Sequence, residues 1–169
     1  IHGYNQSVTW GEKANEDRYE TTAIVGMQYD ETKCFWYMVN GGVFDRFPKL
    51  KVYITHGGGY VPYQLGRLNQ TNKNLDVTHN KRDLVDYLPN FYFDLELHEV
   101  PMRQAVLDLI GADRLVYGSN FGGSDAVRHD LTEGLRISQS DLEKIRYRNA
   151  CDLLHLDPAK LGRARMVAA

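Results

Sequence analysis

The sequence predicts an α/β fold built on a parallel sheet with helical crossovers, of the (β/α)-barrel kind. Short apolar runs rich in β-branched and aromatic residues recur at 51–55, 91–95 and 114–118, each followed by a segment of helical character. Polar residues gather just past each run: His56 after "KVYIT", Glu96 and His98 after "FYFDL", Ser119 and Asn120 after "RLVYG". Parallel α/β folds collect their chemistry at the C-terminal ends of strands. One polar group per strand end favours a barrel over an open layer, and His2 joins the set if Ile1 ends an earlier strand.

Taken in order, "ETKCFWYMVNGGVFDRFPKL" reads as an apolar helix broken near Gly41 and Gly42, then a turn closed by Pro48. Phe35, Trp36 and Tyr37 are expected to pack in the core or an interface. The first strand ends in "HGGG", where glycine permits positive φ and a close approach of backbone to a ligand. The segment 61–68 then starts a helix whose free N–H groups face the same mouth. Residues 69–82 are polar and read as a surface loop or ragged helix end. "VPMRQAVLDLIGADR" places Val106, Leu109 and Ile110 on one face and stops at Gly111, a natural C-cap. "SQSDLEKIRYRNACDLLHLDP" offers a capping box of Ser140 with Glu143, a stripe of Leu142, Ile145, Ala150, Leu153 and Leu154, and a stop at Pro158. No internal repeat or low-complexity segment is visible.

The chain has 169 residues, 43% hydrophobic and 25% charged, with a net charge of -2. That is ordinary globular composition with enough apolar material for one sizeable core. The near-neutral balance argues against nucleic acid as the main partner. No apolar run reaches the roughly 18 residues of a membrane span, and no signal peptide opens the chain. Cys34 and Cys151 have no metal-type spacing and suit a reducing, cytoplasmic compartment as small buried groups. Lys160, Arg163 and Arg165 fall in a solvated tail, 157–169, beyond a barrel-like domain over 1–156. A complete eight-stranded barrel takes about 250 residues. Only about four β/α units fit here, so the opening "IHGYNQ", without an initiator Met, suggests a fragment, a processed chain or a trimmed piece.

A histidine at a strand end can serve as general base, proton donor or metal ligand; HGGG alone is a weak signal and reads first as a structural turn with a hydrogen-bonded ring. The wider pattern is more specific. "GVFDRFPKLKVYITHGGGYVPYQLGR", "YLPNFYFDLELHEVP" and "LDLIGADRLVYGSNF" occur in one order and spacing. This resembles the amidohydrolase superfamily, in its branch of metal-dependent decarboxylases of the aminocarboxymuconate semialdehyde, γ-resorcylate and 5-carboxyvanillate types. The resemblance runs over nearly the whole chain and corresponds to the C-terminal half of a (β/α)8 TIM-type barrel.

The resemblance implies a non-oxidative decarboxylase of a carboxylated aromatic or muconate-type acid, using a divalent metal, with zinc expected first and manganese second. Metal-assisted hydrolysis and a non-catalytic half barrel are the alternatives. It makes His2 a metal ligand, His56 the catalytic histidine, and Arg67 the arginine that holds a substrate carboxylate. Asn120 falls where the family has an aspartate that binds metal and moves a proton. A neutral amide is a poorer ligand and no base; Asp125 is a nearby acid. Trp10 is a candidate for stacking on a substrate ring, and His98 reads either as pocket lining or as a structural hydrogen-bonding group. His79 and His129 read as surface residues, and His155 as favourable chemistry at a helix C-terminus. The N-terminal strand that carries the remaining metal ligands in such proteins is absent from this sequence. A missing N-terminal half or second chain is therefore an expected partner, and homo-oligomers are common among such relatives.

Overall fold

A computed structural model of the chain describes residues 19, 21–122 and 126–159. Three strands, β1 (Val52–Ile54), β2 (Phe91–Asp94) and β3 (Leu115–Val116), form a parallel sheet in the order β1-β2-β3. Val52, Tyr53 and Ile54 stand opposite Phe91, Tyr92 and Phe93, and Phe93 and Asp94 stand opposite Leu115 and Val116. The expected parallel α/β architecture is present, with strands shorter than the apolar runs.

Helix α1 (Met27–Asn40) follows a wider turn over Thr22–Gly26 and ends where the sequence broke. Gly41 caps it, and Gly42 takes φ 65°, with the His79 carbonyl 2.8 Å from where a Cβ would sit. The short α2 (Val43–Arg46) leads to β1. Helix α3 (Val61–Lys73) returns from β1 towards β2, and α4 (Val100–Ile110) returns from β2 towards β3. The last helical stretch comprises α5 (Gln139–Glu143), a wider turn over Lys144–Arg148, and α6 (Asn149–Leu154).

Alternation along the strands splits the sheet into two faces. Ile54, Phe91, Phe93, Leu95 and Leu115 join Phe35, Val39 and Phe44 in one core cluster, with Phe91 4.6 Å from Phe35 and 4.8 Å from Phe44 between ring centroids. Each such ring contributes about 1.5–3 kcal/mol when fully buried. The intervening side chains, Tyr53, Tyr92 and Asp94, occupy the other face.

Several expectations need correction. The N-cap of α5 is Ser138, whose hydroxyl accepts from the Asp141 amide at 3.1 Å and donates to the Asp141 carboxylate at 2.9 Å; the Ser140–Glu143 box is not used. The helix stops at His155, in the left-handed region at φ 54°, before Pro158 is reached. Leu154 is exposed, and the inward face carries Ile145, Asn149 and Cys151, because the wider turn shifts the helical phase. On α4 the buried face is Arg103, Val106 and Leu107, while Leu109 is exposed. Residues 69–82 are a helix end followed by loop, as expected: α3 runs to Lys73, and buried Asn72 donates to the Asn40 side chain at 2.9 Å and exchanges 3.1 Å hydrogen bonds with Asn80. Of the aromatic trio, Phe35 is core, Trp36 half-buried and Tyr37 exposed. Cys151 is buried and Cys34 only partly so; both are free thiols. Among the described residues no helix is long and apolar enough to cross a membrane.

Candidate active site

The site grows from the end of β1. His56 follows the strand with φ 51°, a left-handed conformation that is costly for a non-glycine residue. Asn120, past β3, also has φ 51°. Two of the four non-glycine residues at positive φ among those described thus stand where the sequence placed its chemistry. The turn holds because its neighbours fix it. The Gly57 amide donates to Asp94 Oδ1 at 2.8 Å, the Gly58 amide to the Thr55 carbonyl at 2.8 Å, and the Gly59 amide to the His56 carbonyl at 3.2 Å.

Two of the three glycines are required by close packing within the fold. A Cβ on Gly58 would sit 2.3 Å from the Phe93 ring, and one on Gly59 would sit 2.5 Å from the Gln28 carbonyl oxygen. The Gly58 and Gly59 amides bond inside the turn and the Gly57 amide bonds to Asp94 on β2. The amide of Tyr60, the N-cap of α3, donates to Thr32 Oγ1 at 2.8 Å.

His56 is buried between two acids. Its Nδ1 lies 2.7 Å from Glu31 Oε1, and its Nε2 lies 3.6 Å from Glu96 Oε2. Glu31 is fully buried on α1 and also accepts from the Thr55 hydroxyl. Below the ring, Asp94 takes the Gly57 and Glu96 amides on Oδ1 and the Tyr53 hydroxyl on Oδ2 at 2.6 Å. Gly118 keeps this corner open, since a Cβ there would meet the Tyr53 hydroxyl at 2.8 Å.

These contacts set the electrostatics. Burial opposes the charged imidazole, but the Glu31 hydrogen bond and charge, with Glu96 and Asp94 adding, raise the His56 pKa above its ordinary value. Burial drives the Asp94 carboxyl up, partly offset by the hydrogen bonds from Tyr53, Gly57 and Glu96 and by His56. Burial and the Asp94 charge push the Tyr53 phenol up, so it acts as a donor. With Nδ1–H committed to Glu31, Nε2 is the nitrogen left to exchange a proton, and Glu96 faces it.

The structure brings together His56, Glu96 and three residues the sequence analysis did not assign to the site: Glu31, Asp94 and Tyr53. Their signals were present. Glu31 shares the i, i+4, i+8 face of α1 with Phe35 and Val39, an acid on an apolar stripe. Asp94 interrupts an apolar strand in phase with Tyr92 and Glu96. Arg67 is exposed on α3, six residues and so about 9 Å of helix rise beyond Val61. His98 is exposed at the start of the loop to α4. His129 is exposed, as expected, and its Nε2 accepts from buried Arg103 at 3.0 Å. His2, Trp10 and Asp125 lie outside the described residues.

Among the described residues no group of three or more His, Cys, Asp or Glu is arranged to hold a metal ion. Asn120 alone of the expected ligands is described, and its amide oxygen is one weak neutral donor. The described residues by themselves do not fit a metal centre.

A family profile, Amidohydrolase, matches residues 36–156. The chain belongs to this family. It is 29% identical over 143 residues to a 2-amino-3-carboxymuconate-6-semialdehyde decarboxylase of Dictyostelium discoideum, covering 81% of this chain and 40% of that protein. It is 31% identical over 128 residues to a γ-resorcylate decarboxylase of Polaromonas sp., covering 71% and 39%. The crystal structure of a dihydroxybenzoic acid decarboxylase from Polaromonas sp., with bound manganese and the inhibitor 2-nitroresorcinol, superposes with a TM-score of 0.74 at 24% identity, covering 92% of this amidohydrolase chain and 48% of that one. The chain thus spans about two fifths of the length of these curated relatives, and the expected likeness to the decarboxylase branch is found.

Proposed function

We propose that this amidohydrolase chain carries the proton-handling part of a metal-dependent, non-oxidative decarboxylase acting on a carboxylated aromatic or muconate-type acid. The observation that carries the reading is the buried Glu31–His56–Glu96 arrangement at the end of β1, in a chain of this family. Glu31 orients the ring through Nδ1 and favours its protonated form. His56 then offers a proton from Nε2 to the carbon bearing the carboxylate, after which the C–C bond breaks and CO2 leaves. Glu96 steadies the charged ring. Asp94 and Tyr53 hold the turn that aims it.

A divalent metal, zinc or manganese, would supply Lewis-acid stabilisation of the substrate oxygens when bound. Asn120 and His2 are this chain's candidates to meet it, and the rest of the ligand set belongs to a partner segment completing the barrel, of which this chain is the C-terminal half. Arg67 stays a candidate for a substrate carboxylate because its fork suits one. Among the described residues it makes no ion pair, and that role needs the substrate or an assembled partner to reach α3. Trp10 and His98 remain candidates to line the pocket, and a homo-oligomer is the expected assembly, in the cytoplasm.

The test is metal-dependent CO2 release from a panel of carboxylated phenols, run on the chain as it stands, on Asn120→Asp and on His56→Asn. Release that falls at least about 100-fold in His56→Asn supports the reading. Release in the Asn120→Asp variant alone locates the block at Asn120. Hydrolytic products without CO2 favour the hydrolase alternative, and silence in every form favours a non-catalytic subunit.

A further inference from the structure

We propose that Arg103 and His129 form a latch that ties the loop after β2 to the loop after β3 and so positions the strand-end groups Glu96 and Asn120. Among the described residues Arg103 is the largest fully buried side chain, 2% exposed, on the inward face of α4 beside Val106 and Leu107. Among the described residues no carboxylate pairs with it, and its buried Nε has no acceptor. An uncompensated buried guanidinium is a poor way to stabilise a core, where an apolar side chain would pack better. Its contacts show a different use. Nη1 donates to the Leu97 carbonyl at 3.1 Å, to the His98 carbonyl at 3.4 Å and to His129 Nε2 at 3.0 Å.

Both ends of this latch reach the site. Leu97 directly follows Glu96, and its side-chain carbons stand 3.2 Å from where a Gly57 Cβ would be. His129 belongs to a loop held by the Val127 amide on the Ser119 carbonyl at 3.0 Å and the Leu131 amide on the Tyr117 hydroxyl at 3.3 Å. Ser119 directly precedes Asn120. Arginine never gives up its proton, so it can only donate. His129 must then accept at Nε2 and carry its proton on Nδ1. The neighbouring acid does not compete for the ring, because Asp130 is engaged by Arg146. Arg103 is thus a positioning residue, acting through two loops. Only the consequence for turnover rests on the proposed decarboxylase reading.

The experiment is NMR of the full chain with 15N-labelled histidine, joined to amide exchange, on the wild type, Arg103→Leu, His129→Ala and His129→Gln. The wild-type His129 ring should show an unprotonated Nε2 and a protonated Nδ1. Arg103→Leu should release that tautomer and, like His129→Ala, speed exchange at Val127 and Leu131 about tenfold or more, the loss expected for a hydrogen bond to a charged donor. Strand amides such as Phe93 should not change. His129→Gln, whose side-chain carbonyl can accept from Arg103, should restore the protection. A wild-type ring protonated at Nε2, or a Gln variant as loose as the Ala variant, overturns the latch. If Arg103→Leu does not fold, the Ala and Gln pair decides with Arg103 intact. Loss of decarboxylation in an otherwise latched protein would count against the functional reading alone.

Discussion

Replacing Gly58 by Ala is the sharpest probe of how the His56 turn is built. The new methyl would meet the Phe93 ring at 2.3 and 2.7 Å, and Phe93 is fully buried. Overpacking of that kind costs about 1–3 kcal/mol. The backbone adds to it, because φ at Gly58 is +83°, and a side chain in the left-handed region costs roughly 1–2 kcal/mol. The sum, about 2–5 kcal/mol, is a large share of a total stability of about 5–15 kcal/mol. For a chain of this size it lowers the melting temperature by about 4–20 °C. Gly57 supplies the control. It also has positive φ, at 65°, but a methyl there meets only the terminal carbons of Leu97 at 3.2 Å. A flexible side chain can yield, so Gly57→Ala should show the backbone cost of about 1–2 kcal/mol alone. Urea and thermal melts of the two variants, with circular dichroism as readout, measure the difference. If Gly58→Ala costs no more than Gly57→Ala, the Phe93 ring is not what excludes a side chain from this turn.

Glu31→Gln should lower the His56 pKa, because the hydrogen bond and charge of Glu31 are what raise it against burial; an NMR titration of the ring reads this directly. The folded value lies above the unfolded one, so the stability it confers is full below the unfolded pKa and is lost as pH rises through the folded value. The stability gap between wild type and Glu31→Gln should therefore narrow from mildly acid to alkaline pH, and a gap that widens refutes the assignment. Tyr53→Phe removes the 2.6 Å donor to Asp94 and should cost about 1.5–3 kcal/mol if the carboxylate is ionised. Asp94 already has a raised folded pKa, and losing this donor raises it further, so the penalty should grow from acid to neutral pH in denaturant titrations. Ser138→Ala should cost about 1 kcal/mol as loss of an N-cap, with Ser140→Ala near zero; the reverse order would restore the capping box at Ser140.

Periodicity and punctuation along the chain were enough to determine the alternating β/α order, the break at Gly41 and Gly42, the stop at Gly111 and the placing of His56 and Asn120 past strand ends. These depend on local chemistry: strand runs, glycine at positive φ, and the fixed relation between strand end and following loop. The motif order also carried the family, because its residues lie along the sequence itself. Tertiary structure alone decided what surrounds His56. Glu31 comes from a helix 25 residues earlier and Glu96 from the next strand end, and no local rule joins them. It also decided that Gly58 and Gly59 of HGGG face Phe93 and Gln28, since close approach needs glycine whether a ligand or a buried ring stands opposite. The helix that begins at Gln139 changed phase for the same reason: one wider turn, invisible to a 3.6-residue pattern, moves Leu154 out and Asn149 in, where its amide donates to the Ala112 and Leu115 carbonyls at 2.7 and 2.6 Å. A sequence fixes the spacing of groups along a chain, whereas pKa, burial and reach depend on which distant groups the packing sets beside them.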